Sequence, residues 1–288
     1  EQAMEMPTEP MAPPEPLPVK IKLVEPEEKT KVVINRPEPV KVVLPVNVKK
    51  TLDGNILIKD HPLIGGWYLM APWAGRIENN QITFESKTYP QKINFQNWAI
   101  HGTVCFEDSK IINQQQDLLE TINYSNSDWP VKAEIYQKWF VTSKSIKCSA
   151  TIKVDKKFPA QIGWHPWFKR DIGNNKNAKY AIEAVSQYIK TNEFVTLNET
   201  KDISIPPFDD AFHVPSGKGF IEWPDALRID FESDHQTFVV YDEPEDVFCI
   251  EPQTSAPNAN NHAIHVATPD KPLSACVKWD ITHLREGN

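Results

Sequence analysis

The stretch Ile146–Val154 reads IKCSATIKV, and its period is two. Ile146, Cys148, Ala150, Ile152 and Val154 alternate with Lys147, Ser149, Thr151 and Lys153. Successive side chains of a strand point to opposite faces, so this pattern predicts a β-strand with one buried and one wet face. Just upstream, Thr142–Lys144 breaks the pattern and predicts a hairpin turn between two long strands. The alternation recurs downstream. Leu227, Ile229 and Phe231 alternate with Arg228, Asp230 and Glu232, and Ala275, Val277, Trp279 and Ile281 with Cys276, Lys278, Asp280 and Thr282. No 3.6-residue period persists beyond two turns, and no internal repeat stands out. Strands without intervening helices predict an all-β fold, a large antiparallel β-sandwich.

The first 50 residues have a different composition. They hold Pro7, Pro10, Pro13, Pro14, Pro16, Pro18, Pro26, Pro37, Pro39 and Pro45, and no glycine. Proline fixes φ and removes a donor, so residues 1–50 are predicted to form an extended Pro-rich arm, neither helix nor central strand. Within it, Val19–Val24 (VKIKLV) and Val40–Val48 (VKVVLPVNV) have the composition of segments that add to a sheet edge. Two readings stay open: a solvated linker, or an arm that anchors the chain to a protein assembly. The globular composition begins near Thr51, which predicts a single domain over residues 51–288.

The chain has 31 Lys and Arg against 39 Asp and Glu, a net charge of −8. That balance argues against nucleic acid and anionic membrane surfaces as partners. No run approaches 18 apolar residues, so no membrane span is predicted. Cys105, Cys148, Cys249 and Cys276 form no C-x-x-C pair and read as free thiols, which points towards a reducing, cytoplasmic setting. The chain opens on Glu1, which leaves a removed upstream segment open.

Five segments carry polar residues in aromatic or Gly/Pro-rich surroundings: Ala71–Ile77 (APWAGRI), Asn97–Gly102 (NWAIHG), Gly163–Phe168 (GWHPWF), Asp209–Phe212 (DDAF) and Cys249–Asn258 (CIEPQTSAPN). His165 lies between two tryptophans, and Pro166 biases its backbone to an extended form. Glu251 ends an apolar run, so its carboxylate is expected to be partly desolvated and more basic. His101 precedes Gly102, which permits close backbone approach. Taken one at a time, His165 also reads as a core histidine, Glu251 as a surface acid, Asp209 and Asp210 as a solvated turn, and Arg76 as structural. The remaining histidines, His262 and His265 included, lack partners at metal-ligand spacing, and no metal is assigned. Phosphate-binding and dinucleotide motifs are absent.

The five segments together, in this order, resemble the aldose 1-epimerase (galactose mutarotase-like) family. The matching positions are Arg76, His101, His165, Asp209 and Glu251, and the resemblance spans about residues 55 to 285. It implies a mutarotase-like β-sandwich, with the site in a concave face, and a chain that interconverts the α and β anomers of a hexose. Glu251 resembles the general base on the C1 hydroxyl and His165 the general acid on the ring oxygen. His101 resembles the second histidine near that oxygen. Arg76 and Asp209 resemble groups that hold hydroxyls, with Gln253 assisting. The base and acid are expected to face one another across a cleft wide enough for a pyranose ring, and no cofactor is implied. The sequence departs from the pattern at Gly75, at Thr103–Phe106 and at Lys169–Arg170. The last departure suggests a hexose-6-phosphate epimerase branch, with Lys169 and Arg170 on the phosphate. A non-catalytic carbohydrate-binding or structural domain, held on an assembly by residues 1–50, is the reading from another class.

Overall fold

The computed structural model describes residue 63 and residues 65–284 apart from 127 and 174. The arm of residues 1–50 and the boundary near Thr51 lie outside the described residues. Among the described residues there are nineteen strands. In chain order they begin β1 (Trp67–Met70), β2 (Gln81–Phe84), β3 (Lys87–Pro90), β4 (Lys110–Gln114), β5 (Leu118–Tyr124), β6 (Ala133–Val141) and β7 (Ser145–Val154). Next come β8 (Phe158–Pro159), β9 (Gly163–Lys169), β10 (Lys179–Ile182), β11 (Ser186–Lys190), β12 (Thr196–Lys201) and β13 (Asp209–His213). The chain closes with β14 (Lys218–Trp223), β15 (Leu227–Ser233), β16 (Thr237–Tyr241), β17 (Val247–Gln253), β18 (Val266–Ala267) and β19 (Leu273–His283). Three short 3-10 turns are the only helical elements among the described residues.

The strands form a seven-stranded sheet, ordered β1-β9-β17-β16-β13-β11-β12, and an eight-stranded sheet, ordered β10-β14-β15-β19-β7-β6-β5-β4. All strand pairs are antiparallel, and the sheets pack as the expected sandwich. The period-two stretch is β7, whose partner β6 runs from Ala133↔Val154 to Val141↔Ile146. The expected turn joins them: the Thr142 hydroxyl accepts from Lys144 N–H at 3.2 Å and from Ser145 N–H at 3.0 Å. Both are local side-chain bonds of the kind that favour a turn.

Aromatic side chains from both sheets interdigitate in the core. Trp67 of the seven-stranded sheet meets the edges of Trp139 and Trp279 of the other sheet at 5.2 and 5.3 Å. Phe231 and Phe238 meet across the same interface at 5.5 Å. Strand parity then decides what the outer face of the seven-stranded sheet presents. Trp164, Phe168, Phe248 and Ile250 point into the core. Their neighbours His165, Trp167, Cys249, Glu251 and Gln253 therefore point the other way. That outer face is not wet: β17 is buried along nearly its whole length.

Candidate active site

Arg76 and His101 reach this face on loops whose glycines permit close contact. Gly102 has φ +76°, and a Cβ there would lie 2.0 Å from the Ala71 carbonyl oxygen. Gly66 has a similar φ of +79° but nothing within 4 Å of its would-be Cβ. Gly102→Ala should therefore lose at least about 2 kcal/mol more stability than Gly66→Ala, measured by chemical denaturation, since only the former adds a clash to the backbone strain. Equal losses would show that the Ala71–Gly102 contact relaxes freely.

On adjacent strands β9 and β17, His165 Nε2 lies 3.2 Å from Glu251 Oε1. The residues are 6% and 2% exposed. The His165 ring is stacked between Tyr68 at 4.8 Å and Trp167 at 5.2 Å, which fixes its plane. His101 meets it edge-on at 5.1 Å. The pair is in direct contact, not spread across a ring-sized cleft as expected, so a sugar would lie against it and not between its members.

Burial sets the protonation of this cluster. It pushes the Glu251 carboxyl well above its ordinary range, and nearby Asp209 adds to the rise, while the Gln253 hydrogen bond and Arg76 oppose it. It pushes His165 down to about 3. Both shifts favour the neutral form of each partner. His101 is likewise held well below its ordinary value, by burial first and then by His165 and Arg76. Its Nδ1 accepts from Gly75 N–H at 3.2 Å, which places the proton of the neutral ring on Nε2.

The other expected residues join the same cluster. Gln253 Nε2 donates to Glu251 Oε2 at 3.2 Å. On β13, Asp209 lies 3.6 Å from Arg76 Nη1 and 3.4 Å from Lys190 Nζ. Phe194, half exposed at the β11–β12 turn, covers both cations, 5.4 Å from the Arg76 guanidinium and 5.7 Å from Lys190. Lys190, Phe194, Tyr68 and Cys249 were not singled out from sequence as site residues. Cys249 alone carried a signal, since it shares strand parity with Glu251.

Arg170 does not join them. Its Nε and Nη2 donate to the carbonyls of Pro244 at 3.1 Å and Asp242 at 2.6 Å. Four residues along β9 from His165, Lys169 lies roughly 13 Å away at about 3.3 Å per residue. Four further histidines, His213, His235, His262 and His265, line another cavity of about 350 Å³. There His235 and His265 bond the backbone carbonyls of Ser274 at 3.1 Å and Thr254 at 2.9 Å. His165, Cys249 and Glu251 place donor atoms within 4.8 Å of one another, the one such grouping among the described residues.

A sequence profile described as aldose 1-epimerase matches residues 62–272, most of the chain, and the chain belongs to that family. Membership places it among mutarotases and epimerases in general terms. A search of curated proteins finds no match. Solved structures share the fold. A galactose mutarotase-like protein from Clostridium acetobutylicum is 17% identical, with a TM-score of 0.67 over 77% of this chain and 80% of that one. A galactose 1-epimerase from Lactobacillus acidophilus is 10% identical, with a TM-score of 0.64 over 75% and 80%. An aldose epimerase homologue from C. elegans is 12% identical, with a TM-score of 0.65 over 75% and 82%. No helix among the described residues is long and apolar enough to cross a membrane.

Proposed function

We propose that the chain is an aldose 1-epimerase that interconverts the α and β anomers of a hexose, with Glu251 as general base and His165 as general acid. The observation that supports this most is the 3.2 Å contact between a buried carboxyl and a buried imidazole. A hemiacetal has two oxygens on one carbon. A base for the C1 hydroxyl and an acid for the ring oxygen must therefore converge on almost the same point, and this pair does.

The steps follow from that geometry. In the proposed mechanism the pair shares one proton, which passes to His165 and leaves Glu251 as carboxylate. Glu251 takes the proton of the C1 hydroxyl, and His165 protonates the ring oxygen as the C1–O bond of the ring breaks. The open-chain aldehyde rotates about C1–C2 and closes on the other face by the reverse transfers. His101 Nε2–H serves as a fixed donor beside the ring oxygen, since its other nitrogen is held by Gly75. Gln253 and Arg76 favour the ionised form of Glu251. Arg76 and Asp209 hold hydroxyls away from C1.

Optical rotation of freshly dissolved α-glucose and α-galactose tests the proposal. The chain should shorten the approach to equilibrium; an unchanged time course with both sugars, and with related free hexoses, would favour the non-catalytic reading. A hexose 6-phosphate is disfavoured as substrate, because Arg170 is engaged by two backbone carbonyls. Asp209→Asn should act on affinity, raising KM about tenfold or more and changing kcat by less, since a hydrogen bond to a charged group is worth about 1.5–3 kcal/mol. Steady-state mutarotation rates check it, and a pure loss in kcat would reassign Asp209 to the chemistry.

A further inference from the structure

Gln161 lies between β8 and β9, is fully buried, and no reading of the sequence marks it. Backbone groups fix both ends of its amide. Ala74 N–H donates to Gln161 Oε1 at 3.2 Å. Gln161 Nε2 donates to the carbonyls of Ser255 at 2.6 Å and Ala256 at 3.0 Å. A backbone N–H can only donate and a carbonyl can only accept, so turning this amide over would set like against like at all three contacts.

The same Nε2 faces Gln253 Oε1 at 3.5 Å. With its oxygen held on that side, Gln253 has its own NH2 group towards Glu251 Oε2, 3.2 Å away. The reversed amide would place a carbonyl oxygen against the Glu251 carboxylate and an NH2 group against the NH2 of Gln161. We infer that Gln161 is a positioning residue that locks Gln253 into the orientation in which it donates to Glu251. A line of amides thus runs from the Ala74–Gly75–Arg76 loop through Gln161 and Gln253 to Glu251. The catalytic consequence rests on the reading of Glu251 as base; the orientation of Gln253 does not.

Infrared spectroscopy of the full chain without sugar tests the two apart. Near pH 5 the carboxylic-acid carbonyl band of Glu251 is identified by its loss in Glu251→Gln. The band should move to higher frequency in Gln161→Met, because a carbonyl that loses an N–H donor is less weakened. It should move as far in Gln253→Met and no further in the double variant. In Gln161→Met, kcat should fall about tenfold with KM within about twofold, the mark of an interaction realised at the reacting groups. If Gln161→Met does not fold, Gln161→Glu replaces it. In its protonated form that side chain keeps an acceptor for Ala74 and one hydrogen for Ser255 but lacks the second hydrogen, which Ala256 and Gln253 share. A band unmoved in the Gln161 variant, or shifts that add in the double variant, would overturn the inference. A moved band with unchanged mutarotation would uphold the positioning role and remove Glu251 as the base.

Discussion

Glu251→Gln should lower the mutarotation rate by about 10²–10⁴-fold while leaving sugar affinity within a few-fold of the parent. Glutamine has the shape of glutamate and can still hydrogen-bond His165, so the contact at 3.2 Å and the packing around it survive. It cannot accept the proton of the C1 hydroxyl. The loss should therefore appear in kcat and not in KM. His165→Asn should behave alike, because it removes the acid and the second member of the proton-sharing pair. The two losses should not add: with either partner gone, no proton is left to pass between them. Single and double variants followed by optical rotation decide this. A Glu251→Gln chain within threefold of the parent rate would sink the role assigned to Glu251.

Part of this architecture was legible because half of it faces water. Strands β7, β15 and β19 belong to the sheet whose outer face is wet, so Lys147, Arg228 and Lys278 alternate with buried neighbours and show the period. The site strands show no such alternation. In β17, VFCIEPQ, both faces are covered, so its run of buried residues cannot reveal which ones face the core and which the site. Glu251 and His165 are legible only through the resemblance of five short segments to a family. Their mutual contact was not legible, because it depends on β9 and β17 being neighbours, and strand order across 80-odd residues leaves no local trace. The same holds for Lys190 and Phe194, ordinary residues of a β-hairpin until β13 brings Asp209 beside them. Arg170 misled for the converse reason. A cation next to the H-P-W-F segment looks available to a ligand, and only the fold shows two carbonyls more than 70 residues away claiming it. Gln161 gave no signal, since its importance comes from what lies at both ends of its amide.

Glu251→Gln should also stabilise the chain relative to the parent, increasingly so as pH rises. The Glu251 carboxyl is raised well above its ordinary value of 4.5 by burial, so the folded chain keeps a proton there that the unfolded chain gives up. The stabilisation from that proton is fully present below about pH 4.5 and is lost as pH climbs towards the folded value. Across this window each pH unit should widen the stability difference by about 1.4 kcal/mol in the variant's favour, because the variant has no carboxyl to ionise and the titration of His165 in the unfolded chain is common to both. The result does not depend on which partner holds the shared proton, because linkage counts protons on the pair. His101 is buried and neutral in both chains, so its own loss of stability in acid cancels in the comparison. Urea unfolding of both chains at pH 5, 6, 7 and 8 measures the difference. It should widen steadily in favour of the variant, and the variant should be the slower enzyme throughout. A difference that stays constant with pH would mean that the folded parent holds no more protons at this site than the glutamine variant over that range. The shared-proton account of the site would then fall. A widening difference would show the opposite: the folded pair retains the proton that the proposed mechanism passes through His165, and having to retain it weakens the fold as pH rises.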